Sequence, residues 1–255
     1  MTTRAIGSGT MSFGLLSIPF RIFSVASEKK VTFSTLHATC GSKVKQQYVC
    51  ATDGEVLTKE TTAKGYEHRK GHFVQFSEAE LDKLESPRSD ELELLDFPLA
   101  DSIDPLGIEK SYFLGPDKGG DRAYSLLAEV LRRTGRVAVG RFFARGRERT
   151  VLVNAFGRGL VMHYMFPAEE LRSWAEVDLG PERHASEQEL SLATELVMRH
   201  ACNAFEPAKY RDAYQDRVRE AVEAKVNGLE VSPATAPIGA KILDLVEALA
   251  RSVAA

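Results

Sequence analysis

The chain has 255 residues, of which 44% are apolar and 27% are charged, and its formal net charge at pH 7 is −3. This composition excludes a disordered chain, a collagen-like fibre and a small protein held together by disulfides. The chain has no run of about 18 apolar residues and no apolar leader core, so we expect no membrane partner. Three cysteines, an odd and sparse set, predict a cytoplasmic location.

The charge is segregated along the chain. Residues 1–72 carry 10 basic and 5 acidic side chains, whereas residues 73–120 carry 4 and 12. Residues 121–166 carry nine basic side chains, all of them arginine, against three acidic ones. Arginine presents a planar fork that matches phosphate oxygens. A slightly acidic total therefore still allows two local basic surfaces for a polyanion.

The first quarter of the chain predicts strands and turns. Residues 13–25 are β-branched and aromatic but are broken by Pro19, which predicts a bent or edge strand. Residues 31–37 predict a further short strand. Gly7-Ser8-Gly9 lacks the spacing of a phosphate-binding loop, and we interpret it as a turn.

Residues 40–72 are polar and punctuated by glycine. Residues 43–50 can pair with residues 56–62 across Asp53-Gly54, and a second hairpin can form across Lys70-Gly71. These residues cannot bury much apolar surface. They predict an extended hairpin that leaves a core, or a large functional loop.

The middle of the chain predicts a barrel or a strongly curled antiparallel sheet. Ser77 and Glu80 form a capping-box pattern, and we interpret residues 78–109 as an exposed acidic face. An apolar stripe predicts a helix over residues 121–134 that ends at Gly135. The predicted strands cover residues 108–114, 136–143, 150–153 and 160–166.

The chain changes character after Pro181. Ser186 and Glu189 form a second capping box, which opens a helix whose buried stripe is Leu190, Ala193, Leu196 and Val197. Pro207 opens a second helix, which ends at Asn227-Gly228 and carries an apolar residue at every fourth position from Tyr210 to Val226. Residues 229–238 predict a linker, and residues 240–253 an amphipathic helix.

No catalytic or metal-binding constellation emerges from the residues. Cys40 and Cys50 supply only two thiols, and Asp53 stands where a C-x-x-C pair would be completed, so we predict free thiols and no metal. A Cys/His site completed by the nearby His37 and His68 is the less favoured alternative. His163 lies opposite an apolar face, where we expect it to be exposed. We predict no enzymatic activity and no cofactor.

Several stretches resemble the prokaryotic Ku proteins in the expected order. They are RAIGSGTMSFGLLSIPFRIFS (4–24), LHATCGSKVKQQYVC (36–50), KGYEHRKGHFVQFSEAELDKL (64–84), EKSYFLGPDKGGDRAYSLLAEVLRRTGRVAVGRF (109–142) and the helices from Ser186 to Gly228. The resemblance implies an α+β fold in which an antiparallel β-barrel core (1–180) carries a bridge insertion at about 37–72. A helical arm (181–229), a linker and a C-terminal amphipathic helix (230–255) follow.

The resemblance also implies a function. It implies that two copies form a ring-shaped homodimer that encircles double-stranded DNA ends without sequence specificity and recruits and stimulates the ATP-dependent DNA ligase D in non-homologous end joining. This implies a cytoplasmic, nucleoid-associated bacterial protein. The C-terminal helix resembles the element linked to ligase recruitment, through Ile242, Leu245, Val246 and Leu249.

Basic side chains are the candidate DNA contacts. Those on the bridge insertion are Lys43, Lys45, Lys59, Lys64, Arg69 and Lys70. Those of the arginine-rich block, a candidate cradle floor, are Arg132, Arg133, Arg136, Arg141, Arg145 and Arg147. Two alternatives stay open: a non-catalytic RNA-binding or scaffold module on the same barrel, and an enzyme with an unrecognised site.

Overall fold

The computed structural model describes residues 3–27, 31–84, 90–144, 146–182, 184–210 and 212–230. These residues fall into two compact units. The first lies within Met1–Glu28 and Leu36–Trp174, and the second within Lys29–Thr35 and Ala175–Ala255. The described strands are β1 (Gly7–Phe13), β2 (Leu16–Ser24), β3 (Tyr48–Val49), β4 (Val56–Leu57), β5 (Lys64–Arg69), β6 (His72–Phe76), β7 (Glu91–Asp96), β8 (Ile108–Pro116), β9 (Ala138–Ala144), β10 (Arg147–Phe156) and β11 (Gly159–Met165). The described α-helices are α1 (Glu78–Leu84), α2 (Asp121–Thr134), α3 (Glu187–Arg199) and α4 (Ala213–Val226).

Seven strands of the first unit close into a barrel in the order β1-β2-β8-β11-β10-β9-β7. Six neighbouring pairs are antiparallel, and β1 and β7 close the barrel as a parallel pair, with Met11 opposite Leu92. The α+β fold and the predicted barrel are therefore confirmed, with one parallel seam. Closure removes the exposed sheet edges that would otherwise pair with other chains.

The core fills the barrel and continues under α2. Alternate residues of the strands point inward, and Met11, Phe20 and Met162 are fully buried. Helix α2 adds Leu131, and the buried hydroxyl of its Tyr124 donates to a carbonyl of β8 (2.6 Å) and accepts from an amide of β11 (2.8 Å). The helix is thereby fixed to two barrel strands.

Three predictions for the first half of the chain are wrong. Gly7-Ser8-Gly9 lies within β1 and not in a turn, because glycine at position 9 serves close packing: a Cβ there would lie 2.5 Å from the carbonyl oxygen of Asp90. Part of the supposed acidic face is β7, whose Leu92 and Leu94 are buried while its glutamates point outward. Residues 31–37 contain no strand among those described, only a single bridge from Leu36 to Lys43.

The bridge segment, residues 37–72, forms the first hairpin and most of the second. Strands β3 and β4 pair across the Asp53-Gly54 turn, and β5 and β6 pair across Lys70-Gly71, as predicted. The first hairpin is shorter than predicted, with two residues in each strand. Every residue of the segment is exposed except Cys50 and Leu57, which are half-buried.

The second unit contains the arm helices. The predicted capping box at Ser186 and Glu189 is present and opens α3. Pro207 opens only a short 3₁₀ turn, and α4 begins later, at Ala213, where the Asp212 carboxylate caps it. Neither helix buries a residue, so the predicted buried stripe is wrong for a single chain. The predicted linker and the 240–253 helix lie outside the described residues.

Candidate nucleic-acid interface

The six basic side chains of the bridge segment stand free in solvent. Within the part of the chain that the structure describes, none of them forms an ion pair. Four acidic side chains share the segment: Asp53, Glu55, Glu60 and Glu67. The Glu67 carboxylate is held by the backbone N–H of Gly71 (2.8 Å), and Asp53 accepts from the backbone N–H of Glu55 (3.0 Å). Both carboxylates are thus occupied with turn formation, while the cations remain available to an external anion.

The two hairpins share a cleft of about 860 Å³. Its lining includes Tyr48 of the first hairpin, Lys59 and Glu60 of the turn that connects the hairpins, Lys64 of the second hairpin and Glu78 of α1. Lys59 and Lys64 therefore line one concave surface, together with two carboxylates. Tyr48 adds an aromatic ring that is 79% exposed.

The arginines of the second basic block are mostly engaged within the barrel unit. Arg132 and Arg133 both bind the Glu129 carboxylate, with Arg133 at 2.7 Å. The hydrogen bonds from Arg133 and Arg132 lower the pKa of the Glu129 carboxyl. One carboxylate neutralises only one of these two cations, so the end of α2 keeps a net positive charge.

The remaining members of the block differ in their partners. Arg136 donates to the carbonyl of Phe97 (2.6 Å), and Arg141 lies 3.4 Å from Glu148 on the neighbouring strand. Arg147 lines a cavity of about 480 Å³ and forms no ion pair with a described residue. Arg145 lies outside the described residues, as do the proposed ligase-recruiting Ile242, Leu245, Val246 and Leu249.

The basic side chains of the two blocks differ in whether they already bind a carboxylate. A cation that must leave a carboxylate before it binds DNA contributes less than one that is free, because the lost ion pair offsets part of the gain. We therefore expect the bridge segment to provide more of the contact energy than the arginine block. The pairing of Arg141 with Glu148 depends on strand register, so the sequence alone did not predict it.

His163 is not the exposed residue that its pattern predicts. It is half-buried on the barrel wall, where Nδ1 lies 2.8 Å from the Ser111 hydroxyl and Nε2 lies 2.9 Å from the Asn154 side-chain oxygen. Burial lowers the pKa of the His163 imidazole. The three residues lie on β8, β11 and β10, so this network ties together three adjacent strands.

The bridge segment also contains a contact that sequence analysis did not identify. The Cys40 thiol lies 3.0 Å from Nδ1 of His37, in a turn just before Lys43. Cys40, Cys50 and Cys202 form no disulfide. Among the described residues, no group of three or more histidine, cysteine or acidic side chains is placed to hold a metal ion. No described helix is long and apolar enough to cross a bilayer.

Comparison with known proteins is consistent with this architecture. The sequence model of the Ku70/Ku80 beta-barrel domain matches residues 12–192. A protein of Heliobacterium modesticaldum named "Non-homologous end joining protein Ku" is 36% identical over 256 residues, covering 99% of this chain and 92% of its own length. Proteins of the same name from Koribacter versatilis and Bacillus subtilis are 35% and 31% identical, covering 98% and 96% of this chain and 86% and 80% of their own lengths. The chain therefore belongs to the Ku family.

Proposed function

We propose that this chain binds the ends of double-stranded DNA in non-homologous end joining, by encircling the duplex as a homodimer. The observation that carries the proposal is the set of six exposed, unpaired basic side chains on the bridge segment. The relatives of this chain are named for non-homologous end joining, which supports a role of the chain in the same repair process. We further propose that the chain recruits and stimulates the ATP-dependent DNA ligase D, and that it is not itself an enzyme. It would act in the cytoplasm, at the nucleoid.

Binding would be independent of base sequence. Lysines at the ends of flexible stems reach phosphate oxygens and carry no sequence information by themselves. Affinity should then fall steeply as the salt concentration rises, because each neutralised phosphate releases counterions.

Exposed apolar surface supports the homodimer. The bridge segment exposes Tyr48 and Tyr66, and two-stranded hairpins are only marginally stable by themselves. In the second unit, the α3 stripe leaves Leu190 49% and Val197 67% exposed. Leu190 and Val197 lie two turns apart on one face of α3, and an apolar helix face left exposed is typical of a protein–protein interface. A second copy of the chain, which presents the same surfaces, would cover them.

The experiment compares topological forms of one sequence. Equimolar linear plasmid, covalently closed circular plasmid and duplex RNA are titrated with the purified chain, and sedimentation equilibrium measures the mass of the free protein. We expect a dimer mass and tight binding to the linear form alone. Equal binding to closed circles would refute encirclement, and preference for the RNA duplex would favour an RNA-binding module.

A further inference from the structure

A compact turn places a thiol beside an imidazole at the start of the bridge segment. The N–H of His37 donates to the carbonyl of Ser42, and the N–H of Gly41 donates to the carbonyl of His37, both at 2.8 Å. An isolated antiparallel β-bridge between the backbones of Leu36 and Lys43 closes the same turn. These bonds hold the Cys40 Sγ 3.0 Å from Nδ1 of His37.

The surroundings of this thiol favour its anionic form. Hydrogen bonds from the Ser42 side chain and from His37 lower the pKa of the Cys40 thiol from 9.0 to about 7. Cys40 and His37 are both exposed, so a dissolved reagent can reach the sulfur. Reactive cysteines are typically accessible thiols whose pKa is lowered by such neighbours, whereas structural cysteines are buried and inert.

We propose that Cys40 is a modification site that reacts with low-molecular-weight disulfides, and that the mixed disulfide weakens DNA binding by the bridge segment. The effect on DNA binding rests on the proposed function, whereas the reaction of Cys40 with a disulfide does not. Cys40 precedes the candidate phosphate ligand Lys43 by only three positions, within the turn that Lys43 closes. An anionic adduct there would offset the lysine charge and obstruct the approach of the duplex.

The reaction is thiol–disulfide exchange. The Cys40 thiol gives up its proton, and the thiolate attacks one sulfur of the reagent R–S–S–R. A new disulfide bond forms between Sγ and that sulfur, the original sulfur–sulfur bond breaks, and the second half leaves as a thiolate that takes up a proton. Cys40 is oxidised and the leaving sulfur is reduced, so no other oxidant is required.

The chemical half of the proposal is tested without DNA. The chain with Cys50→Ser and Cys202→Ser is incubated with glutathione disulfide at pH 7, and intact mass reports the adduct. Removal of both hydrogen-bonding side chains, by His37→Ala and Ser42→Ala together, should slow adduct formation about fivefold, since the lost thiolate is partly offset by greater intrinsic nucleophilicity. Peptide mapping of the unaltered chain should find the adduct on Cys40 first. A rate unaffected by these substitutions, or an adduct found first on another cysteine, would overturn the assignment.

The functional half is tested with linear duplex DNA. The modified chain should bind about fivefold more weakly than the unmodified chain, and dithiothreitol should restore the affinity. The matched Cys40→Ser variant should bind normally with or without glutathione disulfide. A full adduct on Cys40 with unchanged affinity would overturn the regulatory role. If the unmodified chain and Cys40→Ser both fail to bind linear DNA, the proposed function fails, while the adduct chemistry is decided separately.

Discussion

Reversing three bridge cations should abolish most duplex binding without unfolding the chain. The variant is Lys43→Glu, Lys45→Glu and Arg69→Glu, which changes side chains that are exposed and form no ion pair with any described residue. A homodimer would carry six such changes. If half of these positions contact phosphate, the slope of log affinity against log salt falls by about 3, at roughly 0.9 for each contact. At 0.1 M salt this corresponds to a loss on the order of 100-fold or more.

The assay is fluorescence anisotropy with a labelled linear duplex at several salt concentrations. A matched control reverses three exposed barrel cations, Lys118, Arg122 and Arg158, and thus changes the total charge by the same amount. The control variant should lose only the long-range electrostatic attraction to DNA and should keep the direct phosphate contacts of the bridge segment. In both variants the melting temperature should move by less than about 2 °C, since exposed, unpaired side chains contribute little to folding. Equal losses in the two variants, or a large melting shift with unaltered binding, would refute the bridge assignment.

Three further outcomes are expected. Tyr124→Phe removes the hydroxyl that hydrogen-bonds the backbone of Leu114 and Leu160. The free energy of unfolding should fall by about 2–4 kcal/mol and the melting temperature by roughly 10 °C. An unchanged calorimetric transition would contradict this role of the hydroxyl. Gly140→Ala drives a Cβ into the carbonyl oxygen of Glu93 on β7, so urea denaturation should show a loss of about 3 kcal/mol in the free energy of unfolding. Full stability would mean that β9 packs less closely against β7 than described. Deletion of residues 232–255 should preserve dimerisation and DNA binding but reduce ligase stimulation in a joining assay, and undiminished stimulation would rule out the recruiting role.

Turn chemistry and apolar periodicity predicted most of the barrel unit. Asp53-Gly54 and Lys70-Gly71 located both hairpins of the bridge segment, because the two glycines adopt the positive φ that the turns require. The stripe of α2 and its stop at Gly135 were predicted equally well, since that helix is strongly amphipathic and ends in a left-handed cap.

The strands that close the barrel were missed for identifiable reasons. Gly9 suggested a turn, yet it permits the close approach of β1 to the backbone at Asp90, and such packing has no local signature. In β7, only Leu92 and Leu94 carry the alternation, and the surrounding acidic residues obscure it. The parallel pairing of β1 with β7 joins residues about 80 positions apart. Contacts of that range depend on the whole topology.

The sequence indicated which basic residues are candidates for the site, but not which contacts they make. The polar, glycine-punctuated residues 40–72 predicted the two hairpins that the structure contains, while their contact with DNA stays a prediction. The engagement of Arg132 and Arg133 by Glu129 follows from helical spacing, but the contact between Arg141 and Glu148 requires the register of two strands. The contact between His37 and Cys40 depends on the turn closed by Leu36 and Lys43, which sequence analysis did not predict.

Topological trapping tests encirclement most directly. The chain is loaded on linear duplex DNA, both ends are then blocked with streptavidin, and the salt concentration is raised to 1 M. A ring threaded by the duplex must stay on the blocked DNA under these conditions and must leave once a restriction enzyme opens one end. Release from the blocked DNA at the same rate as from open DNA would contradict the account.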